Sequence, residues 1–144
     1  MTVDVRGPDA YVEHLRVRPG EAGPDRVVVE QPADPEVDNH VRVRHASALY
    51  AAAYEAARRL VLAAVGERGD SVTVSLVDSE IAYTAVGLGV LTSAAEPRGE
   101  GWDSLAAALE AGEAVTLATS VASTDPDGKT VVTLDASFEV APAG

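Results

Sequence analysis

A run of small side chains does most to limit what this chain can fold into. From His45 to Val65 the sequence reads HASALYAAAYEAARRLVLAAV, with no glycine or proline before Gly66. Alanine has the highest intrinsic helix propensity. Leu49, Ala53, Ala56, Leu60 and Ala64 recur at helical spacing, which predicts one helix of about twenty residues, the longest element in the chain. A helix so rich in alanine is thin, so whatever covers it can lie close. Glu55, Arg58 and Arg59 interrupt its apolar surface, so it is not a membrane span.

The remaining elements are short. Asp9 to Arg18 reads as a helix opened by Pro8 and ended by Pro19-Gly20, on an N-terminal arm of residues 1–24. DRVVVEQ, residues 25–31, is a strand. In residues 71–84 the apolar positions Val72, Val74 and Leu76 give way to Ile81 and Tyr83, a change of parity that predicts a bulge. VGLGVLTSAAEP, residues 86–97, makes a further strand, with Gly87 and Gly89 leaving room for another backbone. WDSLAAALEAG is a short amphipathic segment that Trp102 anchors, and Pro126-Asp127-Gly128 joins the last two strands as a hairpin. No linker divides the chain, so residues 1–144 are expected to form one α+β domain. Its five-stranded antiparallel sheet would curl around the long helix.

Composition removes several function classes. The chain has no cysteine, hence no disulfide, thiolate metal site or cysteine nucleophile. Its three histidines show no metal-ligand spacing, so no metal is implied. A net charge of -12 opposes nucleic acid or an acidic membrane surface as the main partner. The N-terminus shows no basic region followed by an apolar core, so the cytoplasm is the expected compartment. Nucleotide fingerprints, phosphate loops and serine elbows are absent.

The segment NHVRVRHASALYAAAYEAARR, with the order of elements around it, resembles the hot-dog fold acyl-CoA thioesterases of the PaaI type and their uncharacterised relatives. Those proteins carry an Asn, a short loop and a motif of the form H-G/A-G-x-L that opens the central helix. Asn39, His45, Ala46, Ser47 and Leu49 fit that start, and the likeness covers about residues 25–141. It implies a hot-dog fold, an acyl-CoA or acyl-carrier thioester as substrate, coenzyme A as part of that substrate with no cofactor besides, and a homodimer or a dimer of dimers.

Thioester hydrolysis needs a group that activates water or attacks the carbonyl, and donors for the oxyanion. The first turn of the helix would offer the amides of Ala46 and Ser47. Asn39 would hold water or the carbonyl, and His45 would fix the loop. In the family an acid nine positions after the His serves as base or nucleophile. Here that position is Tyr54, and the acid, Glu55, comes one later. One residue turns a side chain by about 100° on a helix, which moves Glu55 off the family's catalytic face. Two readings of Glu55 stay open: a catalytic carboxylate, or an ion-pair partner of Arg58 and Arg59 at i+3 and i+4. The two arginines are also candidates for the phosphates of coenzyme A. The alternative to an enzyme is a hot-dog protein that binds an apolar ligand or assembles, its acid displaced by Tyr54.

Overall fold

The long alanine-rich segment forms helix α2, Ala46–Val65. It starts at His45, whose extended backbone (φ -62°, ψ 141°) and ring Nδ1, accepting from the Ser47 amide, cap the first turn. At the other end the Gly66 amide closes on the Leu62 carbonyl, and a 3-10 turn, Gly66–Ser71, follows. In this computed structural model the described residues are Val5, 10–23, 25–34, Asp38 and 44–143.

Among the described residues six strands form one antiparallel sheet: β1 (Arg18–Gly23), β2 (Arg26–Gln31), β3 (Val72–Tyr83), β4 (Leu91–Arg98), β5 (Val115–Thr124) and β6 (Thr130–Pro142), in the order β1-β2-β4-β5-β6-β3. Helix α2 packs on the inner face of β2, β4, β5 and β6. Leu49, Ala53, Ala56, Ala57, Leu60 and Val61 of the helix meet Val27, Val29, Leu91, Leu117, Val121, Leu134 and Phe138 of the sheet, all buried. Each of the larger side chains contributes about 1.5–3 kcal/mol on burial. The alanines between them let the sheet come close, giving the curled sheet and central helix that the resemblance implies.

Two sequence expectations are corrected. The sheet has six strands rather than five, because residues 18–23, read as a helix end and a proline-glycine stop, form the edge strand β1. An edge strand pairs on one side only, so Pro19 with no amide is tolerated there, and the pairing slips between Pro19 and Ala22. The first helix, α1, is shorter than expected, Ala10–His14. Arg16, at φ 57°, turns the chain out of it, and its guanidinium holds Asp34 at 2.6 Å.

The change of parity in β3 is a bulge: Leu76 faces Phe138 and Asp78 faces Ser137, so Val77 is the extra residue. From there Val77, Asp78, Ser79 and Glu80 are exposed, while nearer the strand's start the Val74 carbonyl accepts from the Val5 amide at 2.8 Å. Helix α3, Gly101–Glu110, crosses the β4–β5 connection and is tied to β5 by Trp102 Nε1, which donates to the Ala118 carbonyl at 2.8 Å.

Candidate active site

The start of α2 is held from three sides by one buried cation. Arg44 donates through Nη1 to Gln31 Oε1 at 2.5 Å, through Nη2 to the Gly89 carbonyl at 2.7 Å and through Nε to Asp38 Oδ1 at 3.2 Å. Gln31, fully buried, passes the contact on by donating to the Ala48 carbonyl at 3.1 Å. The Arg44 amide also donates to the Gly87 carbonyl at 2.8 Å. A Cβ at Gly87 would lie 2.9 Å from Leu49 Cδ2 and 3.0 Å from Arg44 Cβ, so a side chain there would have to push Leu49 and Arg44 aside for the β3–β4 loop to approach this closely. The end of β2, the β3–β4 loop and the first turn of α2 are thereby one unit.

Beside that turn lies a cavity of about 510 Å³, lined by Tyr11, Ser47, Tyr50, Ala51, Tyr54, Leu76 and Tyr83. The chain has four tyrosines, and every one of them lines this cavity. Each comes from a different place: Tyr11 from α1, Tyr50 and Tyr54 one turn apart on α2, Tyr83 from the end of β3. Tyr50 and Tyr54 stack with centroids 6.3 Å apart and planes at 9°, and Tyr54 leans on Phe138 below. Tyr50 shares a hydrogen bond of 2.9 Å with Ser79, and the Tyr83 hydroxyl donates to the Ala46 carbonyl at 3.3 Å. The cavity therefore has an apolar floor and a hydroxylated rim against the helix start.

At that rim the His45 imidazole, Ser47 and Tyr11 form a chain. Ser47 Oγ is 3.0 Å from His45 Nδ1 and 2.9 Å from the Tyr11 hydroxyl, while the Ser47 amide donates to the same Nδ1 at 3.3 Å. Of the two amides expected to face an oxyanion, that of Ser47 is engaged by this ring. The Ala46 amide has no acceptor among the described residues.

Glu55 does not line the cavity. It is 3% exposed within the single chain, with Oε1 3.0 Å from Arg58 Nη1 and Oε2 2.9 Å from Arg59 Nε. Arg58 is largely buried and also donates to the Val5 carbonyl at 2.6 Å, whereas the Arg59 side chain is one-third exposed. Tyr54 takes the cavity-facing position, as the offset of one residue requires. Asn39 lies outside the described residues. Among the described residues no three of His, Asp or Glu come together as a metal site, and no helix is long and apolar enough to cross a membrane.

A family model described as a domain of unknown function, DUF4442, matches residues 9–140. The chain belongs to that family. No curated protein sequence matches it. Solved structures do: a thioesterase of Staphylococcus aureus superposes with a TM-score of 0.75 at 12% identity, covering 93% of this chain and 100% of its own. A thioesterase of Haemophilus influenzae gives 0.74 at 16% identity, covering 93% of this chain and 84% of its own. AziG of S. sahachiroi gives 0.70 at 25% identity, covering 95% and 98%. This DUF4442 chain thus has the hot-dog fold that thioesterases carry.

The motif around His45 points to the turn that borders this cavity, whereas Tyr11, Tyr83, Leu76 and the Arg44–Gln31 pair carry no such motif. Tyr54 stands at the position the resemblance makes catalytic, and Tyr50 lies one helical turn before it. The one signal available was bias in aromatic type: four tyrosines against one tryptophan and one phenylalanine.

Proposed function

We propose that this protein hydrolyses thioesters of apolar acyl groups carried on coenzyme A or an acyl carrier, at the start of α2. The observation that carries the reading is the tyrosine-lined cavity of about 510 Å³ against a helix N-terminus whose Ala46 amide has no acceptor among the described residues. An acyl group on the Tyr50–Tyr54 stack would bring its carbonyl to the rim, where the helix dipole and the Ala46 amide oppose the charge of an oxyanion. Asn39 would hold the carbonyl or the water. His45 supplies the imidazole of the rim. The carrier would leave through the open side, and of the Arg58–Arg59 pair it is Arg59, the more exposed, that would meet its phosphates.

Glu55, in this reading, holds Arg58 and Arg59 and does not touch the thioester. The edge of β3 beyond its bulge, with exposed Val77 on it, Tyr83 at its end and Val86 and Leu88 following, would pair with a second copy to make a homodimer and wall the cavity. A pair of such dimers would give the tetramer. One observation favours a second reading, an apolar ligand-binding protein without catalysis: no carboxylate stands among the described residues that line the cavity.

Release of free thiol from a panel of acyl-CoAs of rising chain length separates the two. Turnover above the uncatalysed rate supports hydrolysis. Saturable binding of the same acyl-CoAs with no thiol released supports the ligand-binding reading.

A further inference from the structure

We infer that Ser47 is the nucleophile of this cavity, its hydroxyl prepared by His45, and that an acyl ester on Ser47 is the first intermediate. The inference rests on the reading above, that a thioester carbonyl lies at the start of α2. What singles out Ser47 is the direction of the proton chain. The Ser47 amide donates to His45 Nδ1 at 3.3 Å, so that nitrogen carries a lone pair and the neutral ring holds its proton on Nε2. That one lone pair is shared with Ser47 Oγ, which stands closer at 3.0 Å, so the longer bond from the amide is given up when the hydroxyl proton moves to the ring. With the Ser47 hydrogen turned to the ring, the Tyr11 hydroxyl 2.9 Å away donates into Oγ and fixes its rotamer. A hydroxyl bonded to an imidazole and steadied by a third group is the arrangement an activated nucleophile needs.

The other groups are committed elsewhere. Tyr50 is bonded to Ser79 and Tyr83 to the Ala46 carbonyl. Both Glu55 oxygens are held by guanidiniums on another side of α2. Ser47 lines the cavity and is exposed.

The step balances without a further reactant. Ser47 Oγ adds to the thioester carbon as its proton passes to His45 Nδ1, and the oxyanion forms beside the Ala46 amide. Collapse breaks the C–S bond, and the thiolate takes the proton from Nδ1 and leaves as a thiol. Water then gives a proton to Nδ1 and adds to the Ser47 ester. The C–Oγ bond breaks, Oγ recovers its proton, and the carboxylic acid departs.

Decanoyl-CoA mixed with the protein, quenched in acid within milliseconds to seconds and read by intact-protein mass spectrometry, should show a decanoyl adduct that peptide mapping assigns to Ser47. In Ser47→Ala, with melting unchanged, the adduct should vanish and thiol release should fall by about 1000-fold or more. His45→Gln should lose acylation to a similar extent, while Ser47→Cys should still acylate. Hydrolysis by Ser47→Ala at the wild-type rate would overturn the inference and leave the thioesterase reading standing. A fluorophosphonate, which labels base-activated serine whatever the substrate, separates the two readings. Labelling of Ser47 that is lost in His45→Gln supports the nucleophile even if no acyl-CoA is turned over. An unlabelled Ser47 in a protein that releases thiol overturns it.

Discussion

Replacing Glu55 by glutamine keeps the shape of the side chain and removes the charge that two guanidiniums face. Removing one member of a fully buried ion pair costs about 3–5 kcal/mol, because the partner is left charged and unpaired, while an exposed pair is worth about 0.2–1 kcal/mol. The Glu55 cluster lies between these limits. Its carboxylate is 4% exposed, but Arg58 keeps the Val5 carbonyl at 2.6 Å, and the Arg59 side chain, 32% exposed, can turn to water. The expected loss is about 2–3 kcal/mol. Unfolding entropy near 2.1 cal/mol/K per residue gives about 0.3 kcal/mol/K for a chain of this length, so the midpoint should fall by about 7–10 °C. Thermal melting by circular dichroism measures that shift, and thiol release assayed well below both midpoints measures the chemistry. Glu55→Gln should lose stability and keep kcat. A midpoint that does not move, with kcat down more than tenfold, would place the carboxylate at the thioester and refute the assignment of that role to the rim of Tyr11, His45 and Ser47.

Three further outcomes follow from the same contacts. Gly101 lies against the Thr116 carbonyl so closely that a Cβ would collide with backbone; Gly101→Ala should cost about 1–3 kcal/mol in chemical denaturation, with α3 displaced from β5. Arg44→Met leaves Gln31 and Asp38 without their cation and frees the β3–β4 loop, so denaturant titration should show a loss of at least about 3 kcal/mol. Val77→Lys puts a charge on the exposed edge of β3, and light scattering at micromolar concentration should show the wild type as a dimer and the variant shifted toward monomer.

The architecture was legible wherever one residue pattern had one structural meaning. The alanine run of α2, the alternating Val132, Leu134, Ala136, Phe138 and Val140, the hairpin at Pro126-Asp127-Gly128 and the bulge at Val77 are all consequences of local spacing. Edge strand β1 was hidden because Pro19 and Gly20 end helices far more often than they sit in strands, and only its place at the sheet edge makes them acceptable. The candidate site was half legible. Its anchor, the turn from His45 to Ser47, follows from a short motif. Its walls are set by tertiary contact: Tyr11 comes 36 residues before Ser47, and Tyr83 reaches the Ala46 carbonyl across 37. The buried Arg44–Gln31 pair gave no signal at all, since nothing in a single sequence marks an arginine as lying in the core.

The central claim is that an acyl group occupies the tyrosine-lined cavity while its thioester is cleaved at the start of α2. Thiol release from the acyl-CoA panel, wild type against Leu76→Trp, tests it most directly, because Leu76 lines the cavity from β3 and an indole there fills it. The wild type should turn over the panel and Leu76→Trp, in a form that melts like it, should lose the longer acyl chains first. Turnover of every chain length unchanged in Leu76→Trp would contradict it.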